Sequence, residues 1–275
     1  MLRRASSWVW SGASLLLVLP GCLVSFNDYP LGDPQASPVS SVGSGAGGSA
    51  SVQSKATTMG GRATGGASAA GGAAMTDSLP NPRLVDDFED DDAAILERQG
   101  RSGAWYAAND GRGQQTPPNG ASLLPSLLEP PRAGSAHGVH TFGGPFSTWG
   151  ALIGTSFASS GNIAAAYDLR PYQGLRLWVR SGATSSTAAK RVRVNILTPA
   201  TTQGGSCTIC DDPFGVDVPL TAQWAQVEVP FSSLKQVGYG RPILTTPDLE
   251  HAMGVQFVFA INVSFDLWID DIELY

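Results

Sequence analysis

The sequence has few charged residues. Aspartate, glutamate, lysine and arginine together make up 15% of its 275 residues, whereas soluble domains average about 25%. The formal net charge is −6 and the pI is near 5.0. Because nucleic-acid binding depends on a basic face that neutralises phosphates, this balance argues against a nucleic-acid partner.

The sequence also lacks the motifs of several enzyme classes. It contains no Gly-x-Ser-x-Gly elbow, no phosphate loop and no His-Glu-x-x-His helix. Glutamate occurs only six times, and no two glutamates occupy matching mid-strand positions, although glycoside hydrolysis needs two opposed carboxyl groups. A glycoside hydrolase is therefore the minority interpretation.

A long hydrophobic run is missing as well. Arg3 and Arg4 precede an apolar stretch that ends at Pro20, which is too short for a membrane span of about 20 apolar residues. Such a segment is typical of an export signal. The sequence that ends this stretch, Leu19-Pro20-Gly21-Cys22, resembles the cleavage box of bacterial lipoproteins. The resemblance implies lipidation of Cys22; the alternative is an ordinary secretory peptide with an incidental cysteine.

Residues 1–21 are thus expected to form the signal peptide, and residues 22–78 a disordered tether. From about Pro30 the tether is mostly Gly, Ser, Ala and Thr, with too little apolar bulk to offset the entropy of ordering. Leu23 follows the cysteine, and resemblance to bacterial lipoprotein sorting then favours the outer membrane or cell surface.

Residues 79–275 have the pattern of an all-β domain. Short apolar segments alternate with polar residues and end at Gly, Pro, Asn or Asp. In GLRLWVRS, for example, Leu175, Leu177 and Val179 share one face. Many strands with almost no helix predict a sandwich of two antiparallel sheets. The predicted strands are 84–89, 104–109, 138–143, 151–157, 174–181, 191–198, 215–220, 226–231, 254–260 and 265–274.

Four segments of this domain carry a family resemblance. They are LVDDFED, YDLRPYQGLRLWVRS, QWAQVEVPFSSLKQVGYG and GVQFVFAINVSFDLWIDDIEL. Together they resemble family-11-like carbohydrate-binding modules, which are galactose-binding-like jelly rolls. The resemblance implies a jelly-roll β-sandwich that binds an oligosaccharide on its concave sheet and holds a structural calcium near the chain ends.

Acidic residues crowd the first and last predicted strands. If these strands pair, as the resembled fold implies, the carboxylates would repel one another unless a cation lay between them. Calcium prefers clustered oxygen ligands. We expect Asp87, Glu89 and Asp271 to be its ligands, with Asp270 as a substitute, because alternation puts Asp271 on the face of Leu267 and Ile269. The alternative is that these residues are solvated turn and edge carboxylates.

Sugar binding requires flat aromatic faces together with polar groups that pair with hydroxyls. Tyr239 lies between Gly238 and Gly240, which favours exposure. For any single Trp of a β-sandwich, burial in the core is the competing interpretation. The predicted sugar-binding residues are Trp105, Tyr106, Asn109, Trp149, Arg176, Trp178 and Tyr239, with Asp110 and Gln256 as further polar candidates.

Only three cysteines are present. With Cys22 lipidated, Cys207 and Cys210 remain as a pair in an exported chain, which predicts a local disulfide. A zinc site with His137 and His140 is the alternative. It would require a turn or bulge, because residues three apart on a strand point to opposite faces.

These observations predict a membrane-anchored surface lipoprotein that binds a polysaccharide or oligosaccharide without cleaving it. The serious alternative is a structural or adhesive surface protein that has the fold but no sugar site.

Overall fold

The computed structural model describes residues 81–161, 163–183 and 187–275. The predicted signal peptide, the tether and Cys22 lie outside these ranges. The all-β jelly-roll sandwich predicted from the sequence is confirmed. Two short 3₁₀ helices, Phe231–Ser233 and Leu249–His251, interrupt the strands. No helix among the described residues has the length and apolar character needed to cross a membrane.

The described part of the chain forms 14 strands. They are β1 (Leu84–Asp86), β2 (Tyr106–Asn109), β3 (Gln115–Thr116), β4 (Pro125–Arg132), β5 (Ser135–Gly143), β6 (Ala151–Ser156), β7 (Ala158–Ser160), β8 (Ile163–Ala165), β9 (Gly174–Ser181), β10 (Arg191–Leu197), β11 (Phe214–Pro219), β12 (Ala225–Pro230), β13 (Gly254–Phe259) and β14 (Phe265–Leu274).

Two sheets form the sandwich. Sheet I has seven strands in the order β12-β9-β14-β5-β3, with β1 added to β14 and β4 to β5. Sheet II has five strands in the order β11-β10-β13-β6-β2. A small hairpin pairs β7 with β8. Every pairing between these strands is antiparallel.

The core lies between the inner faces of the two sheets. Leu175, Leu177 and Val179 of β9 are fully buried there, as their alternation predicts. Sheet II contributes residues of the same kind, such as Val194 of β10 and Phe257 of β13. Burial of apolar area at roughly 25 cal/mol per Å² drives this packing. The outer face of each sheet is left for polar and functional side chains.

The end of β14 departs from simple alternation. The pairing with β9 shifts between Asp270 and Glu273, and Asp271 has a positive φ of 45°. This irregularity brings Ile272, rather than Asp271, into the core. The prediction that Asp271 shares a face with Leu267 and Ile269 is therefore wrong, because a bulge inserts an extra residue into the strand.

Candidate functional site

The outer face of sheet II carries a groove of about 280 Å³. This volume is at the lower end of small-molecule pockets, which span roughly 300–1,000 Å³. The floor of the groove comes from β6, β10 and β13, and its sides come from the loops around them. Its lining residues are Trp149, Leu152, Arg193, Asn195, Leu197, Thr201, Thr202, Asp211, Asp212, Pro213, Val237, Tyr239, Gln256 and Val258.

Two neighbouring rows of the floor differ in polarity. In one row Leu152 of β6 pairs with Val258 of β13, which pairs with Arg193 of β10. In the next row Asn195 of β10 pairs with Gln256 of β13. Successive outward positions along a strand lie two residues apart. The floor is therefore apolar at Leu152 and Val258, with Arg193 at the end of that row, and is lined with amides on the next row.

Tyr106 of β2 lies in register with Asn195 and Gln256, at the β2 edge of sheet II. Its side chain is almost fully buried, and its hydroxyl accepts a hydrogen bond from Gln256 Nε2 at 3.1 Å. Tyr106 belongs to a small apolar cluster with Ala108 and Leu152, against which Trp149 packs. Tyr106 therefore supports the floor and orients Gln256 but offers little exposed face for stacking.

Trp149 forms one side of the groove, in a loop fixed by Asp110. Oδ2 of Asp110 accepts hydrogen bonds from the backbone N–H groups of Ser147, Thr148, Trp149 and Gly150, at 2.6–3.2 Å. Burial opposes ionisation of this carboxyl, but the N–H donors prevail and lower its pKa. Asp110, predicted as a sugar partner, instead positions the loop that carries Trp149.

Tyr239 forms the opposite side and is 56% exposed. Its loop is fixed by Asp212, which is fully buried and accepts the backbone N–H groups of Val237, Gly238 and Gly240 at 2.8–2.9 Å. The Tyr239 hydroxyl donates to the carbonyl oxygen of Asp211. Partial burial, with the nearby carboxylates of Asp212 and Asp211, raises the pKa of Tyr239.

A disulfide between Cys207 and Cys210 closes the turn beside this loop. The predicted disulfide is thus confirmed, and the zinc alternative is excluded because both sulfurs are bonded to each other. Ile209, within the turn, pairs with Arg241 through backbone hydrogen bonds of 2.7 and 3.3 Å. The turn and the Tyr239 loop therefore support each other as one wall, which we call the disulfide wall (residues 201–213 and 235–241).

Arg193 lies at the edge of the groove near this wall. One of its guanidinium nitrogens donates to the carbonyl oxygen of Lys235 at 2.6 Å, and another lies 3.7 Å from a carboxylate oxygen of Asp217. The charge of Arg193 is thus partly balanced by protein groups.

Four of the predicted sugar-binding residues lie elsewhere. Trp105 is 1% exposed, and its Nε1 donates to Asp86 in the core at 2.7 Å. Asn109 is buried and donates to Gln115 between the sheets. These two predictions are wrong, because both side chains point inward from sheet II.

Arg176 and Trp178 lie on the outer face of sheet I, in the opposite layer. Arg176 forms ion pairs with Glu228 and Glu273 at 2.8 and 2.7 Å. The ring of Trp178 lies 4.9 Å below the guanidinium of Arg132. Strand alternation correctly separates both from the core, but it does not reveal that the groove is on the other sheet.

The groove also contains residues that the sequence interpretation missed, chiefly Asn195 and Thr202. Asn is uncommon in strands, so its position within RVRVNILT was an available signal. Glycines inside strands, here Gly154 and Gly215, indicate close approach of another group. No comparable signal marks Thr202, which lies in a loop.

The predicted calcium ligands come close to one another, but protein groups occupy them. Burial raises the pKa of Asp271, and the neighbouring Asp87 and Glu89 add to this effect. Arg132 forms ion pairs with both Asp270 and Asp271, so a guanidinium already balances the carboxylates at the end of β14.

The carboxylate of Glu89 also has protein partners, which are hydrogen-bond donors of β5. Its Oε1 accepts from Ser135 Oγ and from the N–H groups of Ala136 and His137, at 2.7–3.1 Å. Within the described ranges no three His, Cys, Asp or Glu side chains form a group able to hold a metal. These contacts compete with calcium for the same carboxylates, and calcium stays a prediction.

The described part of the chain is thus a β-sandwich with a surface groove on sheet II. No protein-family model matches the chain, and no curated protein is similar to it in sequence. Several solved structures are similar. One is the family 11 carbohydrate-binding module of the cellulosomal cellulase Lic26A-Cel5E of Clostridium thermocellum, at 16% identity and a TM-score of 0.45, covering 70% of this chain and 92% of that one.

Two further structures have comparable similarity. The family 11 module from Clostridium thermocellum in complex with a β-1,3-1,4-mixed-linked tetrasaccharide is 17% identical, with a TM-score of 0.45 and coverage of 70% of this chain and 94% of that one. A family 30 module of a Clostridium thermocellum cellulase is 11% identical, with a TM-score of 0.45 and coverage of 70% and 95%.

Proposed function

We propose that this protein binds a polysaccharide or oligosaccharide in the groove of sheet II, without cleaving it. The observation that carries the proposal is the composition of the groove. Trp149 and Tyr239 flank a floor whose Leu152–Val258 row is apolar and whose Asn195–Gln256 row is polar. A pyranose has the matching surfaces, a C–H face that packs on apolar and aromatic groups and a rim of hydroxyls that pair with amides.

The carboxylates of the groove support binding without hydrolysis. Among the described residues, Asp211 and Asp212 are the two that line it. Asp212 is fully buried and accepts three backbone N–H groups, so it has a structural task. Glycoside hydrolysis uses a pair of carboxyl groups, one as acid and one as base or nucleophile. Among the described residues that line the groove, Asp211 therefore has no second free carboxylate with which to form that pair.

An adhesive role is the second candidate, and one observation favours it. Ile209, Val237 and Ile243 are large apolar side chains exposed on or next to the disulfide wall. Exposed apolar patches mark contact sites for other macromolecules. In this alternative the wall binds a surface component of the cell through apolar contact, and the groove makes no specific sugar contact.

The proposal also includes a lipid anchor at Cys22. Attached acyl chains would hold the protein at the outer membrane or cell surface, since each buried methylene contributes about 0.8 kcal/mol. The long Gly-rich segment before residue 79 would then separate the groove from the membrane.

Affinity electrophoresis of the domain through gels that contain soluble polysaccharides tests the proposal. We expect retardation by at least one of β-1,3-1,4-mixed-linked glucan, xyloglucan, galactomannan and xylan. Tyr239→Ala and Trp149→Ala should each weaken binding about tenfold, because an aromatic face is lost. Phe142→Ala is the matched control, since Phe142 is an exposed aromatic of sheet I.

Each result has a definite meaning. No retardation of the wild type by any of these polysaccharides would contradict sugar binding and favour the adhesive role. Equal losses in Phe142→Ala and Tyr239→Ala would place the binding surface outside the groove. Release of reducing sugar during incubation would contradict the non-catalytic part of the proposal.

A further inference from the structure

One row of residues crosses all the strands of sheet II in register. Gly215 of β11 lies opposite Asn195 of β10, which lies opposite Gln256 of β13. Gln256 in turn lies opposite Gly154 of β6, and Gly154 opposite Tyr106 of β2. We call this row the amide row. A single polar track therefore runs across the sheet at right angles to the strands.

The two glycines of the amide row make room for its amides. A Cβ at Gly215 would lie 1.9 Å from Asn195 Oδ1, so any other residue would displace that side chain. A Cβ at Gly154 would lie 3.0 Å from Gln256 Cγ and 3.1 Å from the Tyr106 hydroxyl. Because the glycines have no side chain, the amide side chains of Asn195 and Gln256 can lie flat against the backbone of the neighbouring strands.

Two polar groups on the disulfide side of the groove have no hydrogen-bond partner among the described residues. Asn195 is 5% exposed and Thr202 is 6% exposed, and both line the groove. Within the part of the chain that the structure describes, Asn195 Oδ1 and Thr202 Oγ1 make no hydrogen bond. Buried polar atoms are nearly always paired in folded proteins. An unpaired acceptor and an unpaired hydroxyl in one groove therefore point to a bound group.

The chemistry of these two atoms restricts that group. Asn195 Oδ1 only accepts, so its partner must donate, which excludes a carboxylate or sulfate. The Thr202 hydroxyl donates or accepts. Asp211 and Asp212 stand on the same side and disfavour an anion further. A neutral hydroxyl satisfies both atoms.

Asn195 Oδ1 and Thr202 Oγ1 lie below the surface of the groove. A ligand group reaches them only if it projects beyond the sugar ring. Hydroxyls bonded directly to a sugar ring stay close to the ring, whereas a hydroxymethyl group extends one carbon further. We propose that Asn195 and Thr202 form a specificity subsite that binds the primary hydroxyl groups of a neutral hexose polymer. This inference rests on the proposed function and deepens it by naming the ligand class and the residues that select it.

The test compares two polysaccharides and five forms of the domain. β-1,3-1,4-mixed-linked glucan carries primary hydroxyls, and xylan does not. We expect the wild type to bind the glucan at least tenfold more tightly than xylan. Thr202→Val keeps the shape but removes the hydroxyl, and Asn195→Leu removes the acceptor. Each should weaken glucan binding about tenfold, as expected for loss of one buried hydrogen bond, and should weaken xylan binding clearly less.

Two further variants serve as controls. Thr202→Ser retains the hydroxyl and should bind the glucan as the wild type does. Thr116→Val alters an exposed threonine of sheet I and should have no effect. Melting curves of all variants check that the fold is intact.

The outcomes distinguish this inference from the proposed function. Glucan binding that Thr202→Val and Asn195→Leu leave unchanged would overturn the subsite but retain the proposed function. Equal binding of xylan and glucan by the wild type would also overturn it. If the wild type binds neither these nor the other polysaccharides, the proposed function fails and the subsite with it.

Discussion

The carboxylate of Asp110 accepts the backbone N–H of Trp149 at 3.1 Å. The same oxygen binds three neighbouring N–H groups of that loop. A loop fixed in this way needs no ordering when a ligand arrives, and ordering is a main cost of binding.

We expect Asp110→Ala to weaken polysaccharide binding about fivefold to tenfold while the domain remains folded. Release of the four N–H groups leaves the Trp149 loop free to move in the unbound protein. Titration calorimetry with the polysaccharide that binds best measures the change. Asp168→Ala, which removes an exposed carboxylate that pairs with Arg170, is the control; similar affinities for the two variants would contradict this role of Asp110.

The disulfide should support the groove as well as the fold. The loop-closure relation, applied to the turn from Cys207 to Cys210, gives a loss of about 2 kcal/mol in the free energy of unfolding for the double Cys→Ser variant. The disulfide wall carries Tyr239, so binding should weaken too.

Urea denaturation and affinity electrophoresis measure these two effects. Mass spectrometry of the non-reduced domain should show both cysteines in one peptide, lighter by two hydrogens than the reduced form. Unchanged affinity in the double variant would show that the Tyr239 loop is held independently of the disulfide.

Arg132 is expected to stabilise the domain strongly. Its side chain is 9% exposed and pairs with Asp270, whose side chain is fully buried, at 2.7 Å. Breaking a buried pair leaves an uncompensated charge, so Arg132→Ala should cost about 3 kcal/mol. Arg170→Ala, which breaks the exposed pairs with Asp168 and Glu250, should cost less than about 1 kcal/mol. Denaturation curves of the two variants decide this.

The calcium prediction is tested on the same proteins. A metal that binds only the folded state would raise its stability, and EDTA would then lower the melting temperature of the wild type. Because protein groups already pair with Glu89, Asp270 and Asp271, we expect the shift to be small. A clear drop in the melting temperature of the wild type with EDTA, absent in Asp271→Asn, would support a structural calcium.

Stability should fall as pH rises from about 4 to 8. Burial raises the pKa of Asp86 to about 8, although the Phe88 N–H and Trp105 Nε1 donate to it. Between the usual carboxyl pKa near 4 and this value, the folded state keeps a proton that the unfolded chain releases. The contribution of this proton to the stability of the folded state is complete below about pH 4 and is lost as the pH rises through about 8.

Melting temperatures at pH 4.5–8 of the wild type and Asp86→Asn measure the effect. The difference between the two proteins isolates Asp86, because all other groups are shared. The wild type should lose more stability across this range. Parallel curves would show that Asp86 does not take up this proton.

Glu89 has the opposite effect at lower pH. Despite partial burial, hydrogen bonds from His137 and its neighbours lower the pKa of Glu89 to about 2. The stability that ionised Glu89 gives to the folded state is therefore lost as the pH falls from about 4.5.

The proposed lipid anchor is at Cys22, which lies outside the described residues. Metabolic labelling with a palmitate analogue should mark the protein in its native host, and Cys22→Ser should abolish the label. Labelling that survives in Cys22→Ser would contradict lipidation at this residue.

The sequence predicted most of the sandwich because alternation is a local property. Each of the ten predicted strands overlaps an observed one, and the limits of 174–181 and 265–274 agree with β9 and β14. Strand β4 was missed because PSLLEPPR contains three prolines, which strands normally exclude except at edges. The hairpin strands β7 and β8 are short and rich in Ala and Ser, so they give a weak signal.

The site was harder to predict because it depends on pairing between distant strands. Tyr239 was identified from its flanking glycines, and Trp149 from its position before a strand. Alternation places Trp178 on an outer face but does not distinguish sheet I from sheet II. Asn195 is unusual within a strand, but its role in the groove depends on its position opposite Gly215 and Gln256, a register that the sequence does not display.

The central claim is that a sugar polymer occupies the groove of sheet II. Trp149 Nε1 is buried and makes no hydrogen bond within the described protein, so its indole N–H resonance is a direct probe of occupancy. Heteronuclear NMR during titration with the polysaccharide that binds best should shift the signals of the Trp149 indole and of the Asn195 and Gln256 side-chain amides, while the indole of Trp178 on sheet I stays unchanged. Shifts confined to sheet I, or an unchanged Trp149 indole at saturating polysaccharide, would contradict the account.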